Sequence, residues 1–224
     1  MTVPILSEAE ARVLGVLVEK QRTVPDTYPL TLNSLVAGCN QKTSREPVLS
    51  LSDAEVLEAL DALKARSMVM ETSGGRVMRY AHNAERALAL PSQSVALLAT
   101  LLLRGAQTAG ELRINADRLH RFADISAVEG FLHELAARPA GALVAELPRA
   151  PGTRETRWMH LLTGTAATAT IAAAAASAVQ PVATMGPDAS GAAALRQEIA
   201  ELREEVAALR AAVESLRDER AARS

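Results

Sequence analysis

The chain has 224 residues, 49% of them apolar but only 2% aromatic, which suits one or two domains around aliphatic cores. A single cysteine, Cys39, excludes an internal disulfide framework and a cysteine-rich zinc site, and fits a small buried hydrophobe in a reducing compartment. Residues 1–164 carry 18 basic and 18 acidic side chains and the last 60 carry 6 and 8, so the basic surplus of a typical DNA-binding domain is absent at that level.

Met1 to Leu6 has no basic segment followed by a long apolar one, so no signal peptide is expected and the location reads as cytoplasmic. Ser7 with Glu10 opens a first helix carrying Val13, Leu14, Leu17 and Val18 to about Gln21. Arg22 to Pro29, with two prolines, reads as a loop. Thr31 caps a second helix with Leu32, Leu35 and Val36 facing inward, and the polar stretch Gly38 to Leu51 bridges to the next element. Ser52 and Glu55 form a capping box, with Leu51 and Val56 as a hydrophobic staple. That helix is expected to reach Arg66 with Val56, Leu57, Leu60 and Leu63 on its core face. Met68–Thr72 and Arg76–Tyr80 then read as a hairpin around Ser73-Gly74-Gly75, and His82 to Pro91 as a connector.

The pattern then repeats some 74 to 85 positions later. Ser92 is expected to cap an apolar helix ending near Gly105, and Thr108 a second helix with Leu112 and Ile114. Ile125 to Glu129 repeats the staple and box, leading into Phe131, Leu132 and Leu135. Leu143–Leu147 and Glu155–Leu161 read as paired strands. Helices followed by a hairpin, twice over, is the order of tandem winged helix-turn-helix domains. The segments Tyr28-Pro29-Leu30-Thr31-Leu32-Asn33-Ser34-Leu35 and Cys39-Asn40-Gln41-Lys42-Thr43-Ser44-Arg45-Glu46-Pro47-Val48 resemble the signature of the YceH-like family of bacterial proteins. The resemblance covers about residues 4–164. It implies two tandem winged-helix domains and brings no catalytic or ligand residues with it.

Leu161 to Pro187 lacks charge but is mostly Ala and Thr, interrupted by Pro181, Gly186 and Pro187, so it reads as a low-complexity linker rather than a membrane span. Beyond it Leu195, Ile199, Leu202, Val206, Leu209, Val213 and Leu216 alternate spacings of four and three, with Leu at d and Ile or Val at a. That pattern favours a parallel two-stranded coil. Glu198 would face Arg203 of the second strand, and Glu205 would face Arg210. A single solvated amphipathic helix is the alternative. A basic-zipper protein is excluded, because Ala, Gly, Ser and Pro precede Leu195 where a continuous basic helix would be needed.

No nucleophile, acid–base or metal constellation is visible. His82, His120, His133 and His160 lack ligand spacing and read as surface or edge residues, and no cofactor is implied. For nucleic acid the candidates are Lys42 and Arg45 in the polar loop, Arg76 and Arg79 in the first hairpin, and Arg149, Arg154 and Arg157 in the second. Solvated charges or local ion pairs are the competing explanation, and Arg45 with Glu46 equally suits a structural salt-bridge element. The exposed face of the 53–66 helix presents Ala54, Glu55, Glu58, Asp61, Ala62 and Ala65, and its counterpart Ser126, Gly130, His133, Glu134 and Ala137. Neither offers the side chains that read bases in a groove.

The sequence therefore predicts a mostly helical α+β protein: winged-helix domains at 1–88 and 89–164, an Ala/Thr-rich linker at 165–191 and a coiled-coil helix at 192–220. Three functional classes stand: a non-enzymatic, DNA-associated regulator using hairpin and loop arginines, a scaffold whose acidic helix faces dock a protein partner, and, with the least in its favour, an enzyme whose site leaves no mark in the sequence. A parallel homodimer is expected, and no membrane.

Overall fold

The computed structural model describes residues 3–73, 77–149 and 155–164. They form an α+β structure of seven α-helices and two small antiparallel sheets. The expected linker and coil, Arg76, Arg154 and both hairpin tips lie outside the described residues.

The first half runs α1 (Glu8–Thr23), a 3-10 turn (Pro25–Thr27), β1 (Leu30–Thr31), α2 (Leu32–Cys39), α3 (Asp53–Ala65), β2 (Val69–Ser73) and β3 (Met78–His82). α4 (Ala84–Ala87) is a single turn in the connector. The second half runs α5 (Ser92–Arg104), α6 (Ala109–Asn115), α7 (Ile125–Ala136), β4 (Val144–Leu147) and β5 (Arg157–His160). Three helix starts form the reciprocal capping box: Ser7 with Glu10, Ser52 with Glu55, and Thr108 with Glu111. Each box satisfies two N–H groups that the first turn would otherwise leave orphaned.

Two starts differ from expectation. α5 has Pro91 at its N-cap with Ser92 already helical, because proline's fixed φ suits the position beside the first turn. α7 is capped by Asp124, whose carboxylate accepts from the N–H of Ala127, so Ser126 is exposed inside the helix and Ile125 is 46% exposed rather than stapled. On α3, Ala59 takes the buried place expected of Leu57, which is 39% exposed.

Strand β1 was not expected. It pairs with β3, Leu30 opposite Tyr80 and Thr31 opposite Arg79, giving the order β1-β3-β2. The second half repeats this contact in miniature: Gln107 and Trp158 exchange both backbone hydrogen bonds, at 3.0 and 2.7 Å, beside the β4-β5 pair.

The halves share one core. α1 is buried without interruption from Glu10 to Val18 and α5 from Ser94 to Leu103. The two helices pack on each other as well as on their own halves. Gly15 makes the approach close: a Cβ there would lie 3.0 Å from Leu103 Cδ2. The N-terminal segment adds to the junction, Leu6 N–H donating to Leu162 O at 2.6 Å.

Two histidines are more buried than expected. His82 is 7% exposed; its Nδ1 accepts from the N–H of Ala84 at 3.4 Å, so Nε2 carries the proton facing Gln21 Oε1 at 2.8 Å. Burial, with a smaller contribution from Arg22, lowers the His82 pKa to about 4, and burial lowers that of His160 to about 4. Both folded values lie below the ordinary 6.5, so the unfolded chain binds more protons between about pH 6.5 and 4, and stability present above that window is lost as pH falls through it. We expect roughly 2–3 kcal/mol lost per histidine on going from pH 7 to 4.5, measured by denaturant titration. Changing both to Gln should remove most of this acid slope; an unchanged slope would assign it to other groups.

Candidate functional site

The structure turns the segment between α2 and α3 into a loop held by side chains. Asn40 closes its ends, donating from Nδ2 to Leu51 O at 2.8 Å and accepting from Leu51 N–H at 2.7 Å. Arg45 folds inward and is 4% exposed. Its guanidinium donates to Glu19 Oε1 and Oε2 at 3.1 and 2.6 Å, to Gln41 Oε1 at 2.7 Å, and to the carbonyls of Gly38 and Ser44. Burial alone would raise the Glu19 pKa, but the hydrogen bonds and charge of Arg45, with a smaller contribution from Lys20, outweigh it and hold the carboxyl below its ordinary value. Arg12 on α1 reaches the same loop, donating to Cys39 O at 3.1 Å and Pro47 O at 2.5 Å. Glu46 N–H donates to Leu103 O at 2.8 Å, which fastens the loop to α5. The loop is therefore part of the junction between the halves. Cys39 beneath it is fully buried, and burial pushes its thiol up to about 12, so it is no nucleophile.

The arginines expected to meet phosphate divide accordingly. Arg45 has its guanidinium enclosed by five protein acceptors and ion-paired with Glu19. Arg79 donates to Pro29 O at 2.8 Å and Thr27 O at 3.3 Å, holding the segment before α2. Arg157 does the same in the second half, donating to Ala106 O at 2.9 Å and to Glu111 Oε2 at 3.0 Å. The equivalent arginines of the two hairpins thus clip the chain just before the second helix of each half. Lys42 and Arg149 are exposed and make no ion pair among the described residues.

The outer faces of α3 and α7 keep their expected composition. Ala54, Glu55, Glu58, Asp61 and Ala65 are exposed on α3, with half-exposed Leu57 among them. Asp61 pairs with Lys64 at 2.8 Å, and Lys64 also meets Glu71 at 2.7 Å. Ser126, Gly130, His133, Glu134 and Ala137 are exposed on α7, and neighbouring Ile114 of α6 is 74% exposed.

Two cavities open beside the loop. One, about 310 Å³, holds Ser44, Arg104, Asn115 and Arg157 around Glu46 and Glu111. The other, about 360 Å³, lies against α1 and includes Arg12 and His160. Arg12, Glu19, Asn40 and Gln107 were missed from sequence. The available signal was an arginine inside the apolar run Ala11–Val18, a position that solvent-facing periodicity does not explain. Among the described residues no cluster of three or more His, Cys, Asp or Glu could hold a metal, and no helix is long and apolar enough to cross a membrane.

An α+β protein of seven helices and two small antiparallel sheets, with a polar loop of its first half pinned against α5 of its second, is the class that this geometry defines. The chain belongs to the family described as "Protein of unknown function, DUF480", whose profile matches residues 6–153. It is 66% identical over 161 residues to a UPF0502 protein of Dechloromonas aromatica, covering 72% of this chain and 76% of that one. It is 64% identical over 176 residues to a UPF0502 protein of Paracidovorax citrulli, covering 77% and 76%. A UPF0502 protein of Burkholderia vietnamiensis is 67% identical over 159 residues, covering 71% and 67%.

The Arg45–Glu19 pair yields a direct test. Glu19→Gln leaves a buried guanidinium without its counter-charge and is expected to cost about 3–5 kcal/mol in a denaturant titration. Combining it with Arg45→Met should cost less than the two single changes added together, because neither charge is then stranded. A loss below about 0.5 kcal/mol for Glu19→Gln would mean that the pair behaves as an exposed one.

Proposed function

We propose that this chain is a non-enzymatic adaptor made of two tandem winged helices, at 1–88 and 89–164, which docks a protein partner on the exposed faces of α3 and α7. The winged-helix reading is supported by the order helix, strand, helix, helix, hairpin in the first half, and by the Gln107–Trp158 bridge standing where β1 stands in the first. The resemblance to the YceH-like family points the same way.

The observation that carries the docking reading is the chemistry of α3, the helix that would enter a DNA groove. It exposes Glu55, Glu58 and Asp61 beside Leu57. A carboxylate about 4 Å from a phosphate is repelled by roughly 1 kcal/mol in water and by more where water is excluded. Arg45 is enclosed within the protein, and Arg79 and Arg157 each hold backbone carbonyls through part of their guanidinium. The DNA-associated reading keeps one specific support, Lys42 and Arg149, which are exposed and make no ion pair among the described residues.

A photo-crosslinking residue at position 58 and another at position 42, each in the full chain in its native cell, separates the two. Docking predicts protein adducts at 58 and no nucleic-acid adduct at 42. Nucleic-acid adducts at 42, with duplex affinity that falls steeply as salt rises, would establish the DNA reading instead.

The same proposal includes a parallel homodimer through Leu195, Ile199, Leu202, Val206, Leu209, Val213 and Leu216. Sedimentation at micromolar concentration should give a dimer mass for the full chain and a monomer mass for a chain ending at Gly164. Monomers in both cases would refute it.

A further inference from the structure

Ile114 is 74% exposed and Ile125 46% exposed. The two share one corner of the surface: Ile125 Cδ1 would stand 3.9 Å from a Cβ on Gly110, and Gly110 lies one turn before Ile114 on α6. The fold itself does not call for them. Counting from the helix caps, Ile114 occupies the place that Ala37 holds after Thr31, and Ile125 the place that Asp53 holds after Ser52. Ala37 and Asp53 are both exposed in the first half. Scattered single apolar residues are ordinary on a surface, whereas adjacent bulky ones that packing does not require mark a contact.

The surroundings of the pair carry both signs of charge. Arg113 is tied to the corner by its hydrogen bond to Ala123 O at 3.3 Å, Asp117 pairs with Arg121 at 3.4 Å, and Glu129 lies one turn beyond Ile125. All four are exposed. A uniformly acidic or uniformly basic partner would meet like charge somewhere on this rim. A second copy turned about a two-fold axis can set unlike charges together instead. Gly130 and Glu134 lie about 140° and 180° around α7 from Ile125, so a contact at this corner leaves most of the outer α7 face open to a different partner.

Two isoleucines and their rim fall far short of the roughly 1,200–2,000 Å² that a free-standing interface buries. Association here needs a tether, and the chain supplies one. Residues 165–194 separate the described body from Leu195. They reach at most about 100 Å, and two bodies joined beyond such a tether meet at an effective concentration on the order of millimolar. We propose that the α6–α7 corner is a self-association surface, formed when two copies are held together at their C-terminal ends. Ile114 of one copy packs on Ile125 of the other, and Arg113 of one faces Glu129 of the other. This rests on the coil dimer proposed above and adds to it a contact between the folded bodies, which presents the two α3 faces of a dimer to a partner in one fixed relation.

Ala123→Cys and Ala37→Cys each place one accessible thiol in the full chain, the first at this corner and the second at the corresponding place of the first half, while Cys39 stays buried. With a short bismaleimide at micromolar protein, the Ala123→Cys chain should form covalent dimers at least about tenfold faster than the Ala37→Cys chain. Adding Ile114→Asp should erase that advantage without moving the melting midpoint, because Ile114 is exposed. Equal rates at the two positions, or an advantage that survives Ile114→Asp, would overturn the proposal. So would capture at position 123, in the native cell, of a different protein in place of a second copy. Sedimentation of the same chains separates this outcome from failure of the coil. A dimer mass with equal rates removes the corner contact alone, whereas a monomer mass removes the coil and the contact together.

Discussion

The structure depends on the crossing of α1 and α5. Each helix is apolar around most of its circumference, and such a helix can be stable in water only when packed on several sides. α1 meets α2 and α3 on one side and α5 on the other; α5 meets α6 and α7 as well as α1. At roughly 1.5–3 kcal/mol for each large aliphatic side chain taken out of water, the residues Leu14, Leu17, Leu97 and Leu101 alone represent a substantial part of the driving force. The close approach at Gly15 follows from that packing, and so does the burial of Arg12, which lies on a helix with no free side at that level.

Once α1 and α5 are joined, the polar loop has nowhere to go but across their junction. Crossing it there would bury backbone groups without partners, and the loop solves this with side chains: Asn40 bridges its ends, Arg45 spans Gly38, Gln41, Ser44 and Glu19, and Arg12 collects two carbonyls. The polar character of residues 40–51 is therefore architectural. The same logic applies to Arg79 and Arg157, each of which satisfies carbonyls of the segment before the second helix of its half. Cations that would suit a phosphate backbone have been invested in holding irregular chain in place. What remains outside is an acidic α3 face, an α7 face that carries Glu129 and Glu134, and exposed cations such as Lys42, Arg113, Arg118 and Arg149.

Much of the local structure could be read from sequence. Ser7, Thr31, Ser52 and Thr108 cap helices as their neighbours predict, and Val56, Leu60 and Leu63 fall on the buried side of α3. The failures share a cause. Ser92 and Ser126 matched a capping pattern, but Pro91 and Asp124 lay one and two residues upstream with competing cap chemistry. β1 is too short to carry an alternation, and it exists only because β3 lies beside it. His82 read as a surface residue because nothing local marks the end of β3 as covered. The cavity bearing Arg12 and His160 brings together positions about 150 residues apart, and no spacing along the chain encodes that meeting.

The sequence by itself determined where α1, α2, α3 and α6 begin, most of their apolar faces and that the pattern occurs twice, because caps and periodicity act over three or four residues. It also determined that α3 turns acids outward, since a helix's polar face follows once its apolar face is known. Only the tertiary structure decided which charges are free. Arg45 and Lys42 stand three residues apart in one polar loop, yet one is enclosed and the other solvated, because Glu19 lies 26 positions away along the chain and directly beneath Arg45 in the fold. Ion-pair partners, pinned loops and cavities come from long-range packing.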